Sequence, residues 1–233
     1  MLVFAEGHTV GTIGGGRFES LAIEQAVSLL DSELPLLKTY PLHENDEQSF
    51  GAICGGESTV LFEPIAPTQR LIIVGAGHCS QAIAQLALQC GWHVTVVDDR
   101  ADLLADYPPV QQRVSDQAPP KFIEQHSWRP RQALVIVSRN HEIDRLALAA
   151  AVQIGAIAYI GMIGSQRKVR QVFARLVADG MGTAEQLERV FAPIGLDIAA
   201  DSPAEIAISV IAQILQVIRG ASGQHLRLRA SDQ

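Results

Sequence analysis

Leu71-Ile72-Ile73-Val74-Gly75-Ala76-Gly77-His78-Cys79-Ser80, an apolar helical stretch to Cys90, and then His93-Val94-Thr95-Val96-Val97-Asp98-Asp99 decide the fold of this chain. Unbroken runs of branched aliphatic residues mark strands covered on both faces, as in parallel sheets. Strand, glycine turn, helix and strand in that order make a βαβ unit, so the region is predicted to be a Rossmann-like α/β domain. Its turn reads Gly75-x-Gly77-x-x-Ser80, with a small serine in place of the third glycine of the dinucleotide fingerprint. The two glycines allow a tight turn and let backbone amides approach a phosphate, while the helix N-terminus adds partial positive charge. Asp98 and Asp99 fall where an acidic side chain accepts hydrogen bonds from a ribose. These residues leave two readings open, nucleotide-type binding and a scaffold that has lost its ligand.

Downstream, Gln132–Val137 and Ile157–Met162 read as further strands of the same sheet, with helices over Arg145–Ile154 and Arg167–Ala178 and a weak edge strand at Val110–Val114. The run Ile160-Gly161-Met162-Ile163-Gly164-Ser165-Gln166-Arg167-Lys168 again passes from strand through glycines into a helix. Cations in a first helical turn oppose the macrodipole, so Arg167 and Lys168 outline an anion site, or else a solvated charged face. Ser138-Arg139-Asn140-His141, with Asp144, follows a strand and offers either a Ser-His or His-Asp pair or a polar loop capping the next helix. Thr183 with Gln186, and Ser202-Pro203-Ala204-Glu205, fit capping boxes. The last helix is expected to end at Gly220, leaving residues 221–233 as a disordered tail.

Upstream, residues 1–66 read as a small α/β domain, and residues 67–220 as the Rossmann-like one. Strands are expected at Met1–Phe4, Thr9–Ile13, Leu36–Tyr40 and Ser58–Phe62, with a helix over Phe18–Leu30 whose Ile23, Ala26, Val27 and Leu30 form one face. Two glycine-rich turns stand out, Gly14-Gly15-Gly16-Arg17 and Cys54-Gly55-Gly56. A cysteine between glycines on a loop is accessible and its thiolate can be stabilised by amides, although free cysteines are often buried. Cys79 and Cys90 read as core residues of their helix. His43, Glu44, Glu47 and Cys54 lack recognised metal-ligand spacing.

With 233 residues, 48% of them hydrophobic, the chain can bury a substantial core. The net charge of -7 works against binding to nucleic acid or to an anionic membrane. No apolar run approaches the ~18 residues that span a bilayer, Met1–Ala5 is too short for a secretion signal, and three cysteines without a CxxC pair fit a reducing compartment. The expected location is cytoplasmic.

In order along the chain, Gly-Gly-Gly-Arg-Phe-Glu, Cys-Gly-Gly-Glu, Gly-Ala-Gly-His, Val-Val-Asp-Asp-Arg, Ile-Gly-Met-Ile-Gly-Ser-x-Arg-Lys and Pro-Ile-Gly-Leu-Asp-Ile resemble the XdhC/CoxI family of xanthine dehydrogenase accessory proteins. The similarity runs from about Thr9 to Ala212. It implies a non-enzymatic chaperone that binds molybdenum cofactor (molybdopterin), supports its sulfuration and delivers it to a molybdenum hydroxylase apoenzyme such as xanthine dehydrogenase. Partners would include a cysteine desulfurase or sulfurtransferase and a second copy in a homodimer. By resemblance Cys54, with Gly55 and Gly56, contacts the cofactor and its molybdenum, and the loop Gly14, Gly15, Gly16, Arg17 to Glu19 forms another wall. Gly75, Gly77, His78, Asp98, Asp99 and Arg100, and the stretch with Gly161, Gly164, Ser165, Arg167 and Lys168, match the Rossmann motifs, with the molybdopterin phosphate or a nucleotide as guest. Relatives carry a further strand before the position of Met1, and some have cysteine at the position of Arg17. The alternatives are an NAD-dependent oxidoreductase, in which Asp98 or Asp99 holds the adenosine ribose, and a scaffold bridging sulfurtransferase and hydroxylase.

Overall fold

A computed structural model of the chain describes residues 1–30, 35–41, 56–65, 69–129 and 131–226. They fall into two compact units, Met1–Pro67 and Thr68–Gln233. Among the described residues no helix is long and apolar enough to cross a membrane.

The first unit opens with the short antiparallel pair β1 (Leu2–Val3) and β2 (Thr9–Val10). Helix α1 (Gly16–Ser28) follows, and then β3 (Leu36–Pro41) pairs antiparallel with β4 (Glu57–Phe62) in a second two-stranded sheet. The unit's core is Ala22 of the helix against Tyr40 and Phe62, with Phe18 edge-on to Tyr40 at 5.5 Å between ring centroids. Two strands are marginal by themselves, so α1 packing on one face is what makes the arrangement stable. An apolar cavity of about 200 Å³ lies in this unit, bounded by Val3, Ile13, Ala26, Leu29, Val60 and Phe62 among others.

The second unit is the expected Rossmann-like domain. Its strands are β5 (Arg70–Val74), β6 (His93–Val97), β7 (Gln112–Val114), β8 (Gln132–Ile136), β9 (Tyr159–Met162) and β10 (Val190–Phe191), in the order β10-β9-β8-β5-β6-β7. Every neighbouring pair in this sheet is parallel. Chain order reverses between β5 and β8, and that reversal opens the crevice where doubly wound sheets bind ligands.

Helices α2 (His78–Gln89) and α8 (Pro203–Ile218) pack together on one face of the sheet. Each buries residues at the i, i+3, i+4, i+7 spacing, Ser80, Ile83, Ala84 and Ala87 in α2 and Ala207, Val210, Ile211 and Ile214 in α8. The other face is covered by α4 (Pro119–Gln125), α5 (His141–Val152) and α6 (Gln166–Ala178), around a core that includes Leu134, Ile136, Leu148, Met162 and Leu176. Full burial of such a side chain contributes roughly 1.5–3 kcal/mol. Short α3 (Ala101–Ala105) and α7 (Ala184–Glu188) complete the unit. Both expected capping boxes are present, at Thr183/Gln186 and Ser202/Glu205.

Three elements are not legible from sequence pattern. Helix α3 has five residues and β10 has two, too few for a periodicity, and α4 starts at Pro119-Pro120, which reads as loop although proline suits the first helical turn. The weak edge strand is real but shorter than expected, at Gln112–Val114. Cys90, expected in the core, is exposed because α2 ends at Gln89 and Cys90 is its C-cap; Cys79 is half-buried.

Candidate functional site

The glycine turn after β5 lies at the chain reversal, held from both sides. The Gly75 amide donates to the Val97 carbonyl at the end of β6, and the Val137 amide donates to the Val74 carbonyl. Gly75 has φ +108, and a Cβ there would collide with the Val137 carbonyl oxygen and lie 2.8 Å from its carbon and 2.9 Å from Ser138 Cα. Only glycine lets the turn pass beneath the end of β8. Gly77 differs. It caps α2 with φ -76, a Cβ on it would meet nothing within 4 Å, and no side chain caps the helix. By contrast α5, α6, α7 and α8 are capped by the side chains of Asn140, Ser165, Thr183 and Ser202. An uncapped first turn beside open space leaves backbone donors directed at solvent, the arrangement that receives a phosphate. His78 is exposed at the start of that turn. Ser80, at the third fingerprint position, is fully buried and hydrogen-bonds the buried Tyr107 hydroxyl at 2.5 Å, so a polar side chain is tolerated where the helix packs closely. Burial pushes the Tyr107 phenol well above its ordinary range.

Asp98 is 4% exposed and committed to its own protein. It accepts from the Ala76 amide at 2.8 Å, from the Arg100 amide at 3.0 Å, and from Arg100 Nε and Nη2 at 2.8 and 2.7 Å. Burial acts to raise this carboxyl, but the Arg100 hydrogen bonds and charge, with the Ala76 amide, outweigh it and hold it below the usual carboxylate range. Asp98 therefore ties the glycine turn to the end of β6, and both of its oxygens are used. Asp99 stands outside, paired with Arg139 at 3.1 Å. Gly75, Asp98, Asp99, Arg100, Ser138 and Arg139 come together around one small cavity of about 10 Å³.

The second glycine stretch serves packing. Gly161 lies inside β9, where a Cβ would sit 2.7 Å from Ile194 Cγ1 and 2.8 Å from Tyr159 Cε1. Ser165 caps α6 through the Lys168 amide, and Arg167 is exposed. Lys168, read from sequence as part of an anion site or of a solvated charged face, extends over Gly164 and bonds Asp144 at 2.5 Å. Asp144 is fully buried and also accepts from the Ser138 amide at 3.1 Å, so its negative charge takes the lysine inward. The polar-loop reading of Ser138–His141 is the one found: Ser138 Oγ donates to the Asn140 carbonyl, and Asn140 Oδ1 caps α5.

In the first unit, Gly14, Gly15 and Gly16 all have positive φ, at +124, +75 and +67. Their turn folds around the Glu19 carboxylate, which accepts from the amides of Ile13 and Gly15 at 2.9 and 3.1 Å and from the Thr12 hydroxyl. Those bonds hold Glu19 below the ordinary glutamate range. The Ile13 and Gly15 amides of this loop are thus taken by the chain's own acid, while Arg17 is exposed in the first turn of α1. Gly56 begins the described stretch before β4 with φ +104; Cys54 and Gly55 lie outside the described residues. Among the described residues no cluster of three or more His, Cys, Asp or Glu can hold a metal ion.

Sequence reasoning placed Asp144 and Arg139 in the Ser138–His141 loop region but missed their partners, Lys168 and Asp99, and the service of Glu19. Asp144 has a visible signal, since it falls in register with the apolar stripe Ala147, Leu148 and Ala151 where a carboxylate needs a buried partner. Arg139 has none, because its partner is forty residues away in sequence and becomes a neighbour only across the sheet.

A parallel sheet in this order, with a glycine turn at the reversal and an acid at the end of the next strand, defines a Rossmann-like domain. Residues 71–214 match the XdhC Rossmann domain and residues 1–41 match the XdhC and CoxI family. The chain belongs to the XdhC and CoxI family. It is 36% identical over 225 residues to the Escherichia coli K12 uncharacterized protein YqeB, covering 96% of this chain and 41% of that one. It is 26% identical over 161 residues to a Bacillus subtilis 168 protein described as a probable xanthine dehydrogenase component, covering 68% of this chain and 46% of that one. The chain thus spans less than half the length of these curated relatives. A crystal structure described as a xanthine dehydrogenase from Bacillus halodurans superposes with TM-score 0.59 at 23% identity, over 86% of this chain and 67% of that one, a likeness of fold.

Proposed function

We propose that this chain serves the maturation of a molybdenum hydroxylase such as xanthine dehydrogenase, as a non-catalytic accessory protein that carries the phosphate-bearing molybdenum cofactor. Membership in the XdhC and CoxI family supports the accessory role, as does the Bacillus subtilis relative described as a probable xanthine dehydrogenase component. The observation that carries the phosphate-binding part is the uncapped first turn of α2 beside Gly77, the one long helix start of the second unit without a side-chain cap among the described residues. Molybdopterin ends in a phosphate monoester, and such a group fits an uncapped helix start after a glycine turn, with room above it. The amides of the α2 first turn would hold that phosphate, with His78 beside it. Cys54 is the proposed contact for the molybdenum end; the chemistry the cofactor supplies belongs to the hydroxylase that receives it. Transfer to an apoenzyme, and sulfuration by a cysteine desulfurase or sulfurtransferase, ask for modest affinity and a docking surface, and a cytoplasmic homodimer is the proposed setting.

The test is retention of cofactor. Purified protein is incubated anaerobically with released molybdenum cofactor and gel-filtered, and molybdenum and pterin are measured in the protein peak. Wild type should co-elute with both. Gly77→Val, whose side chain fits the backbone but fills the space above the turn, should lose the pterin, and Cys54→Ala should lose molybdenum retention without unfolding. No co-elution with wild type would refute the carrier role, and full retention by Cys54→Ala would remove Cys54 from it.

A further inference from the structure

The crevice at the chain reversal is crossed by an ion pair. Strands β8 and β6 flank β5, so their ends stand about 10 Å apart at ~4.8 Å per strand. Asp99 follows β6 and Arg139 follows β8, yet Arg139 Nη2 lies 3.1 Å from Asp99 Oδ2. The two side chains can meet only over the end of β5, where the glycine turn begins. Beneath them is the cavity of about 10 Å³, bordered by Gly75, Asp98, Arg100, Pro119, Ser138 and Ile143, with room for about one water.

The charged groups around this cavity differ in their freedom. Asp98 and Arg100 are locked together by two side-chain hydrogen bonds and a backbone one. The Arg139 and Asp99 side chains are 41% and 45% exposed, so their pairing is weak and readily exchanged. A phosphate group brings up to two negative charges and three acceptor oxygens to a guanidinium, and it outcompetes a single exposed carboxylate for that partner. A ribose diol brings no charge and does not displace the carboxylate. We propose that Arg139 is the phosphate-recognising residue of this crevice, masked by Asp99, and that the crevice selects ligands carrying a phosphate ester by requiring them to break the Asp99–Arg139 pair.

This inference rests on the reading that the glycine turn receives a phosphate-bearing ligand, and it deepens that reading. It also reverses the sign expected for Asp99. A ribose-binding acid aids the ligand, so its loss weakens binding; a masking acid competes with the ligand, so its loss tightens binding.

The experiment is a fluorescence titration of the full chain with mant-ADP, in competition with ADP and with adenosine. Asp99→Asn is expected to bind mant-ADP about three- to fivefold more tightly than wild type, the factor an exposed ion pair commands. Arg139→Gln should bind about tenfold or more weakly, the loss of one charge-assisted hydrogen bond, and its preference for ADP over adenosine should collapse. The double variant should match Arg139→Gln. Thermal melts should be unchanged in all three, since both side chains are exposed. Weaker binding by Asp99→Asn, or unchanged binding by Arg139→Gln, overturns the inference. Wild-type binding that Gly77→Val abolishes but Arg139→Gln leaves intact keeps the phosphate reading and sinks only the inference; no titration by wild type or Asp99→Asn sinks both. Displacement of the probe by ADP alone assigns the phosphate ester to a nucleotide, and displacement by released molybdopterin as well assigns it to the cofactor.

Discussion

Replacing Gly75 with alanine puts a methyl group against backbone that has nowhere to go. The new Cβ would collide with the Val137 carbonyl oxygen and approach Val137 C and Ser138 Cα to 2.8 and 2.9 Å. All three atoms belong to the chain just after β8, which the Val137 amide pins to Val74. Relief therefore means parting β5 from β8 at the centre of the sheet. A side chain at φ +108 adds strain of roughly 1–2 kcal/mol, and overpacking of this kind costs typically 1–3 kcal/mol, for a total of about 2–5 kcal/mol. Domains of this size are stable by about 5–15 kcal/mol, so the variant should fold but melt early. Gly77→Ala is the control, because its φ of -76 and open surroundings predict a change under about 1 kcal/mol. Urea unfolding followed by tryptophan fluorescence reads the right unit, since both tryptophans, Trp92 and Trp128, lie in the second one. If Gly75→Ala unfolds within about 1 kcal/mol of wild type, or no earlier than Gly77→Ala, close approach is not what requires glycine.

Asp98→Asn should cost about 2–4 kcal/mol in the same assay, less than a fully buried pair because Arg100 keeps some contact with water. Since the folded carboxyl is held below its unfolded value, its contribution is complete above about pH 4 and fades as pH falls through the folded value; the gap between wild type and variant should narrow below about pH 4. Lys168→Met strands the fully buried Asp144 and should cost about 3–5 kcal/mol, with Lys168→Met/Asp144→Asn recovering a large part of it; a small loss in the single variant would mean that the pair does not hold Asp144 in place. Glu19→Gln removes the charge around which the triple-glycine turn folds, and hydrogen exchange at the Ile13 and Gly15 amides should quicken, whereas unchanged exchange would mean that other contacts hold the turn.

The Rossmann-like fold was legible because its signals are local. Covered strands of branched residues, a glycine turn and a 3.6-residue stripe each declare themselves within about a dozen positions, as do the capping boxes at Thr183 and Ser202. Short elements were not, since α3 and β10 exist through contacts with neighbours distant in sequence. The glycine motifs predicted where the chain must turn or pass close, but not which groups take the amides of each turn. Gly75-Ala76-Gly77 and Gly14-Gly15-Gly16 look alike as sequence, yet the first gives its Gly75 and Ala76 amides to Val97 and Asp98, far along the chain, and the second wraps the nearby Glu19.

Residue types and spacings thus determined which of the longer elements form and that the second unit is a parallel α/β domain. Only the tertiary structure decided the partners of the charges: Asp98 with Arg100 and the Ala76 amide, Lys168 with Asp144, and Asp99 with Arg139 across β5. The physical reason is one of range. Secondary structure follows from hydrogen bonding and burial along a few residues, whereas a charge takes whichever opposite group the strand order brings within about 3 Å of it in a poorly solvated place.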